Sequence, residues 1–101
     1  MKISEFQKII EDIYFNKDSS RGILGTFAWF VEEVGELSRE LRSQKDKQKL
    51  QDEFADVLAW LSTLASIAEI DLEEAASKYS QGCPKCHTTP CTCDENRQKP
   101  M

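Results

Sequence analysis

Apolar residues return along this chain at the spacing of an α-helix and not with the alternation of a strand. Ile3, Phe6, Ile9, Ile10 and Ile13 lie at helical intervals, with Ser4 and Gln7 in the S-x-x-Q relation of a capping box, and predict a first helix over about 5–15. The stretch "NKDSSRG", 16–22, mixes turn formers with charges and has no apolar run, which predicts a loop. From about Ile23 to Arg42, Leu24, Phe27, Val31, Val34 and Leu41 keep helical period with no proline between them and predict a second helix. After the polar "SQKDKQK", Leu50, Phe54, Val57, Leu58, Leu61, Leu64 and Ala68 define a third, ending near Glu69. The short link makes these two helices antiparallel neighbours. Asp71 with Glu74 resembles another capping box and starts a short fourth helix over about 72–80, stopped by Gly82. There is no strand-like alternation, internal repeat or glycine-rich phosphate loop. The fold class expected is all-α, a small domain of about four helices.

Length refines this picture. With 101 residues and 40% hydrophobic content, the chain makes one domain whose core is modest for a lone monomer, so oligomerisation is expected. The division is a helical part over 1–80, a cysteine-rich tail over 81–93 and a polar, disordered end over 94–101. A net charge of -5 with pI near 4.9 argues against a nucleic-acid or anionic-membrane surface, since both need a basic patch that this sequence does not show. "MKISEFQKIIEDIY" carries charges every few residues, as neither a signal peptide nor a spanning helix does, and a cytosolic protein is expected.

The acidic residues are not spread evenly. Within "FVEEVGEL", 30–37, Glu32, Glu33 and Glu36 place three negative charges in five residues, and like charges at i,i+4 weaken a helix. At about 100° per residue, Trp29, Glu33, Glu36 and Glu40 share one stripe beside the apolar face of the second helix, with Glu32 farther round. Glu53, Asp56 and Trp60 fall on one edge of the third helix in the same way. Packed antiparallel, the two helices would bring Glu33/Glu36 and Glu53/Asp56 into one oxygen-rich pocket. Four carboxylates there would not all stay ionised without a cation, and hard oxygen ligands select Mg²⁺ or Mn²⁺ over zinc. In a chain with 31% charged residues, a solvated helix face is the competing explanation.

The tail holds a second ligand set. "CPKCHTTPCTC" contains Cys83-x-x-Cys86 and Cys91-x-Cys93, four thiols in eleven residues with turns at Pro84 and Pro90, which is the ligand number of a structural Cys₄ zinc site. His87 is a spare or a replacement ligand. Free thiols or a redox-sensitive pair are the alternatives. Trp29 and Trp60 project from the carboxylate stripes and fit either a nucleobase platform or a subunit-interface anchor. Lys17 and Arg21, in the expected loop before the second helix, could grip phosphate oxygens; solvation is the default for Lys17.

"EEVGE" (32–36), followed after sixteen residues by "EFAD" (53–56), resembles the E-E-x-x-E … E-x-x-D signature of the MazG-like nucleotide pyrophosphohydrolases, and the lead-in "NKDSSRGILGTFAWF" resembles that of its small members. The likeness spans about residues 3–80. It implies a helical domain assembling as a homodimer or homotetramer, with Mg²⁺ held by Glu33, Glu36, Glu53 and Asp56, and Glu32 serving a second ion or orienting water. The reaction implied is hydrolysis of a nucleoside triphosphate to the monophosphate and pyrophosphate, and the "RG" of the lead-in favours Arg21 as the phosphate contact. The competing reading is a non-catalytic helical interaction module whose zinc-binding tail docks a partner.

Overall fold

A computed structural model describes residues 1–94; beyond Asp94, the end expected to be disordered lies outside the described residues. The described residues are all-α, with no strand among them. Helix α1 runs Ile3–Ser43, α2 Lys47–Ile67 and α3 Leu72–Ala76, the last continuing into a 3₁₀ turn, Ser77–Tyr79. None of these helices is long and apolar enough to cross a membrane.

The segment 16–22, expected as a loop, is helical, and the first and second helices of the sequence reading are one element interrupted at a single residue. Gly22 takes φ 78° and ψ 176°, a region open in practice to glycine alone. Side chains around the break support it. Thr26 Oγ1 donates to the Gly22 carbonyl at 2.7 Å, while Arg21 Nη1 donates to Asp18 Oδ1 at 2.9 Å and to Thr26 Oγ1 at 3.3 Å. The Asp18–Arg21 pair bridges one helical turn, so residues with turn-forming character on their own are held helical by their neighbours.

Local chemistry sets the other boundaries. Gln44 turns left-handed at φ 47° and ends α1, and its N–H donates to the Glu40 carbonyl at 2.8 Å. Asp46 starts α2 by accepting from the Gln48 and Lys49 amides at 3.0 and 3.2 Å. Asp71 does the same for α3, accepting from Glu73 and Glu74. Three residues therefore turn α1 back on α2 as an antiparallel hairpin.

Ser4 and Gln7 do not form the expected capping box. Lys2 N donates to Glu5 Oε1 instead, and the Ser4 amide donates to Glu73 Oε1, a bond that holds the Glu73 carboxyl below its ordinary range. Gln7 is buried: its Nε2 donates to Ser66 Oγ and the Ile70 carbonyl, and its Oε1 accepts from Leu72 N at 2.9 Å. Ser66 Oγ in turn donates to Glu11 Oε1 at 2.8 Å. One side chain thus ties the start of α1 to the end of α2 and the start of α3. Gln7→Ala removes three hydrogen bonds and leaves the Ile70 carbonyl and Leu72 amide partnerless, which costs about 2–3 kcal/mol. Thermal unfolding followed by circular dichroism should show Tm lower by roughly 10–20 °C. A change under ~3 °C would show that the latch does not hold the fold.

Few apolar side chains are buried. Ile10, Leu50, Ala65 and Cys83 are, together with the polar Thr26, Ser62 and Thr63. The apolar stripes that predicted the helices are largely exposed: Phe27, Val31 and Val34 on α1 are 53%, 52% and 41% accessible, and Phe54, Leu58 and Leu61 on α2 are 53%, 47% and 40%.

Candidate metal and nucleotide site

The α1–α2 hairpin brings three of the expected carboxylates together. Glu33 from α1 and Glu53 and Asp56 from α2 each place an oxygen so that the three lie within 4.8 Å of one another. Glu33 Oε2 and Glu53 Oε2 are buried and have no hydrogen-bond partner. A buried ionised oxygen without a donor is costly, so this arrangement asks for a proton or a cation. Burial first, then the charges of Glu36, Asp56 and Glu53, raise Glu33 above its ordinary value. Burial followed by Glu36, Asp56 and Glu40 does the same for Glu53, and burial followed by Asp52 and Glu36 for Asp56.

Glu36 stands next to this group. It raises all three neighbours, and its own oxygen lies 3.8 Å from Arg39 Nη2. Glu40 is paired with Lys49 at 3.3 Å. Glu32 is exposed and does not join the group of three. Asp52, unremarked in the sequence, sits one turn before Asp56 and adds to its shift; its i,i+4 relation was the available signal.

Lys17, Arg21 and Trp60 meet beside the carboxylates. With Asp56, Tyr14 and Thr63 they line a groove of about 230 Å³. Tyr14 was not singled out from the sequence, where it reads only as one member of an amphipathic helix. Trp29 and Trp60 stack on each other across the hairpin, with centroids 6.0 Å apart and planes 13° from parallel. The Arg21 guanidinium lies 4.8 Å over the Trp60 ring. Arg21 is thus tied to Asp18, Thr26 and Trp60 and forms a wall of the groove, while Trp29 stays half exposed.

The four tail cysteines also converge, their Sγ atoms within 4.8 Å of one another, and His87 is not among them. Hydrogen bonds from Thr88 and Thr92 pull the Cys86 thiol down to about 5, and Cys91 pushes Cys93 up to about 12.

The structure is thus an antiparallel helical hairpin whose facing turns carry E-x-x-E and E-x-x-D, with two carboxylate oxygens buried and unpartnered, a donor set of the hard-oxygen kind that could hold a divalent cation. A family description, the MazG nucleotide pyrophosphohydrolase domain, matches residues 21–87, and the chain belongs to that family. No curated protein matches the chain.

The raised carboxylates fix a sign for pH dependence. Their folded values lie above the ordinary 4.5 of Glu and 3.8 of Asp, so in this window the native state holds more protons than the unfolded chain. The stability they contribute is present at low pH and is lost as pH rises through the raised values. In EDTA, the Tm advantage of Glu53→Gln over wild type should grow as pH rises from about 4.5 to neutrality, and Mg²⁺ should shrink it. A pH-independent difference would show that Glu53 is not perturbed.

Proposed function

We propose that this chain is a Mg²⁺- or Mn²⁺-dependent nucleotide pyrophosphohydrolase that converts a nucleoside or deoxynucleoside triphosphate to the monophosphate and pyrophosphate. The observation that carries this reading is the pair of buried, unpartnered oxygens of Glu33 and Glu53 beside Asp56, in a chain of this family. Glu33, Glu53 and Asp56 would hold the cation, with Glu36 as the adjacent fourth carboxylate. A divalent ion bound there neutralises charge building on phosphate oxygens and acidifies a coordinated water.

The chain's own residues supply the rest. Lys17 provides a positive charge in the groove that Asp56 also lines, suited to a phosphate. Tyr14 and the Trp29/Trp60 pair offer ring surfaces for the base. Arg21 positions Trp60 and closes the groove wall, and Glu32, exposed one residue before Glu33, would serve to orient water. No covalent nucleophile would be required, since a cation held by Glu33, Glu53 and Asp56 would supply the activation of water that attack on phosphorus needs.

The test is pyrophosphate release from a panel of NTPs and dNTPs with Mg²⁺, Mn²⁺ or EDTA. Metal-dependent release from at least one nucleotide is expected. No release from any would favour the competing reading of a non-catalytic interaction module.

A further inference from the structure

Residues 81–94 contain neither helix nor strand, and Cys83 is the one apolar residue among them that is buried, so burial of apolar surface does not account for their folded path. The sulfur positions do. Cys83 Sγ lies 3.8 Å from Cys93 Sγ, and Cys86 Sγ lies 3.9 Å from Cys91 Sγ. A disulfide needs about 2.05 Å, whereas tetrahedral zinc with Zn–S bonds of about 2.3 Å has sulfur–sulfur edges of about 3.8 Å. The two measured separations share no atom, so they correspond to opposite edges of one tetrahedron. We propose that Cys83, Cys86, Cys91 and Cys93 hold a single zinc ion in a closed S₄ site built entirely from this tail.

The backbone around the sulfurs is arranged for such a site. Thr92 N donates to Cys86 Sγ and Cys93 N to Cys91 Sγ, both at 3.3 Å, supplying the amide donors that stabilise metal-bound thiolates. His87 N donates to the Cys83 carbonyl at 2.7 Å and Cys83 N to the Thr88 carbonyl at 3.0 Å, closing a tight knuckle around the first two ligands. Gly82, at φ +95°, lets the second half of the tail pass close by, since a Cβ there would sit 2.7 Å from Thr89 Oγ1 and 2.9 Å from the Thr88 carbonyl. His87 follows the second ligand with φ 61°, a left-handed position that suits glycine better than any other residue. Its role is thereby a turn position, and it is not a ligand. A closed S₄ shell leaves no open coordination position, so the ion is structural and distinct from the carboxylate site, whose hard oxygens select a different metal.

The test uses the full chain, purified under reducing conditions and analysed by elemental mass spectrometry. About one zinc per chain is expected, and replacement by Co²⁺ should give the intense visible bands of a tetrahedral thiolate site. Cys86→Ser and Cys91→Ser should each weaken zinc retention at least ~10-fold in competition with a chromogenic chelator, while His87→Gly keeps full stoichiometry. Less than ~0.1 zinc per chain after incubation with equimolar zinc, with four titratable thiols, would overturn the proposal. A ratio near one half would mean a site shared between chains, and loss in His87→Gly would mean that the histidine is a ligand; either overturns the assignment. None of these readouts depends on nucleotide hydrolysis.

Discussion

Asp56→Asn and Glu53→Gln are each expected to reduce metal-dependent hydrolysis on the order of 100-fold or more, because each removes a carboxylate from the group that would bind the cation. Both substitutions nearly keep side-chain volume, so the helical circular dichroism should be unchanged. Without metal, the variants should be more stable than wild type. The native carboxylates meet at close range with two buried, partnerless oxygens, and removing one charge relieves that repulsion. A rise of roughly 2–5 °C in Tm in EDTA is the expected scale for a small domain. Asp12→Asn, at an exposed i,i+4 pair with Lys8, is the control and should change neither quantity. The diagnostic result is the opposite movement of activity and metal-free stability, which ordinary structural damage would not produce. Turnover within tenfold of wild type in both carboxylate variants would sink the proposed site.

The meeting of Glu33 with Glu53 and Asp56 was legible because it depends on one short-range rule. Positions 33 and 36, or 53 and 56, must share a helix face, and no knowledge of tertiary contacts is needed to say so. The link between the helices was short enough to make them antiparallel, which supplied the rest. The segment 16–22 was not legible, because its composition favours a turn while the Asp18–Arg21–Thr26 contacts, formed across the break at Gly22, hold it helical. The same applies to Gln7, which reads as a capping residue on local spacing but is buried as a latch to residues more than fifty positions away. The pairing of Trp29 with Trp60 was likewise hidden, because periodicity tells which face a ring occupies and not what meets it across the hairpin. In the tail, the candidate set of four thiols was legible from the cysteine count, whereas the absence of His87 from their cluster needed the positions of the sulfur atoms.

The apolar stripes carry the last expectation. Phe27, Val31 and Val34 repeat at i, i+4 and i+7 on α1, and Phe54, Leu58 and Leu61 do so on α2, yet each is 40% or more exposed while the hairpin buries Thr26, Ser62 and Thr63. The periodicity that predicted a core therefore marks surface in the single chain. The radius of gyration, 16.1 Å, also exceeds the value of about 13 Å for a compact domain of this length. A second copy supplies the cover most simply, since a self-complementary apolar face closes in a two-fold dimer, and each half-exposed side chain gains roughly 1 kcal/mol on being covered. Light scattering at micromolar concentration should give at least twice the 11.6 kDa chain mass. Leu58→Glu, which places a charge in the middle of the α2 stripe, should shift the mass toward a single chain and lower Tm by roughly 10 °C or more. Helical content should be lost with the assembly only if the hairpin depends on its partner for stability. A single-chain mass for the wild-type protein would show that these faces meet water, and the oligomer would have to be abandoned.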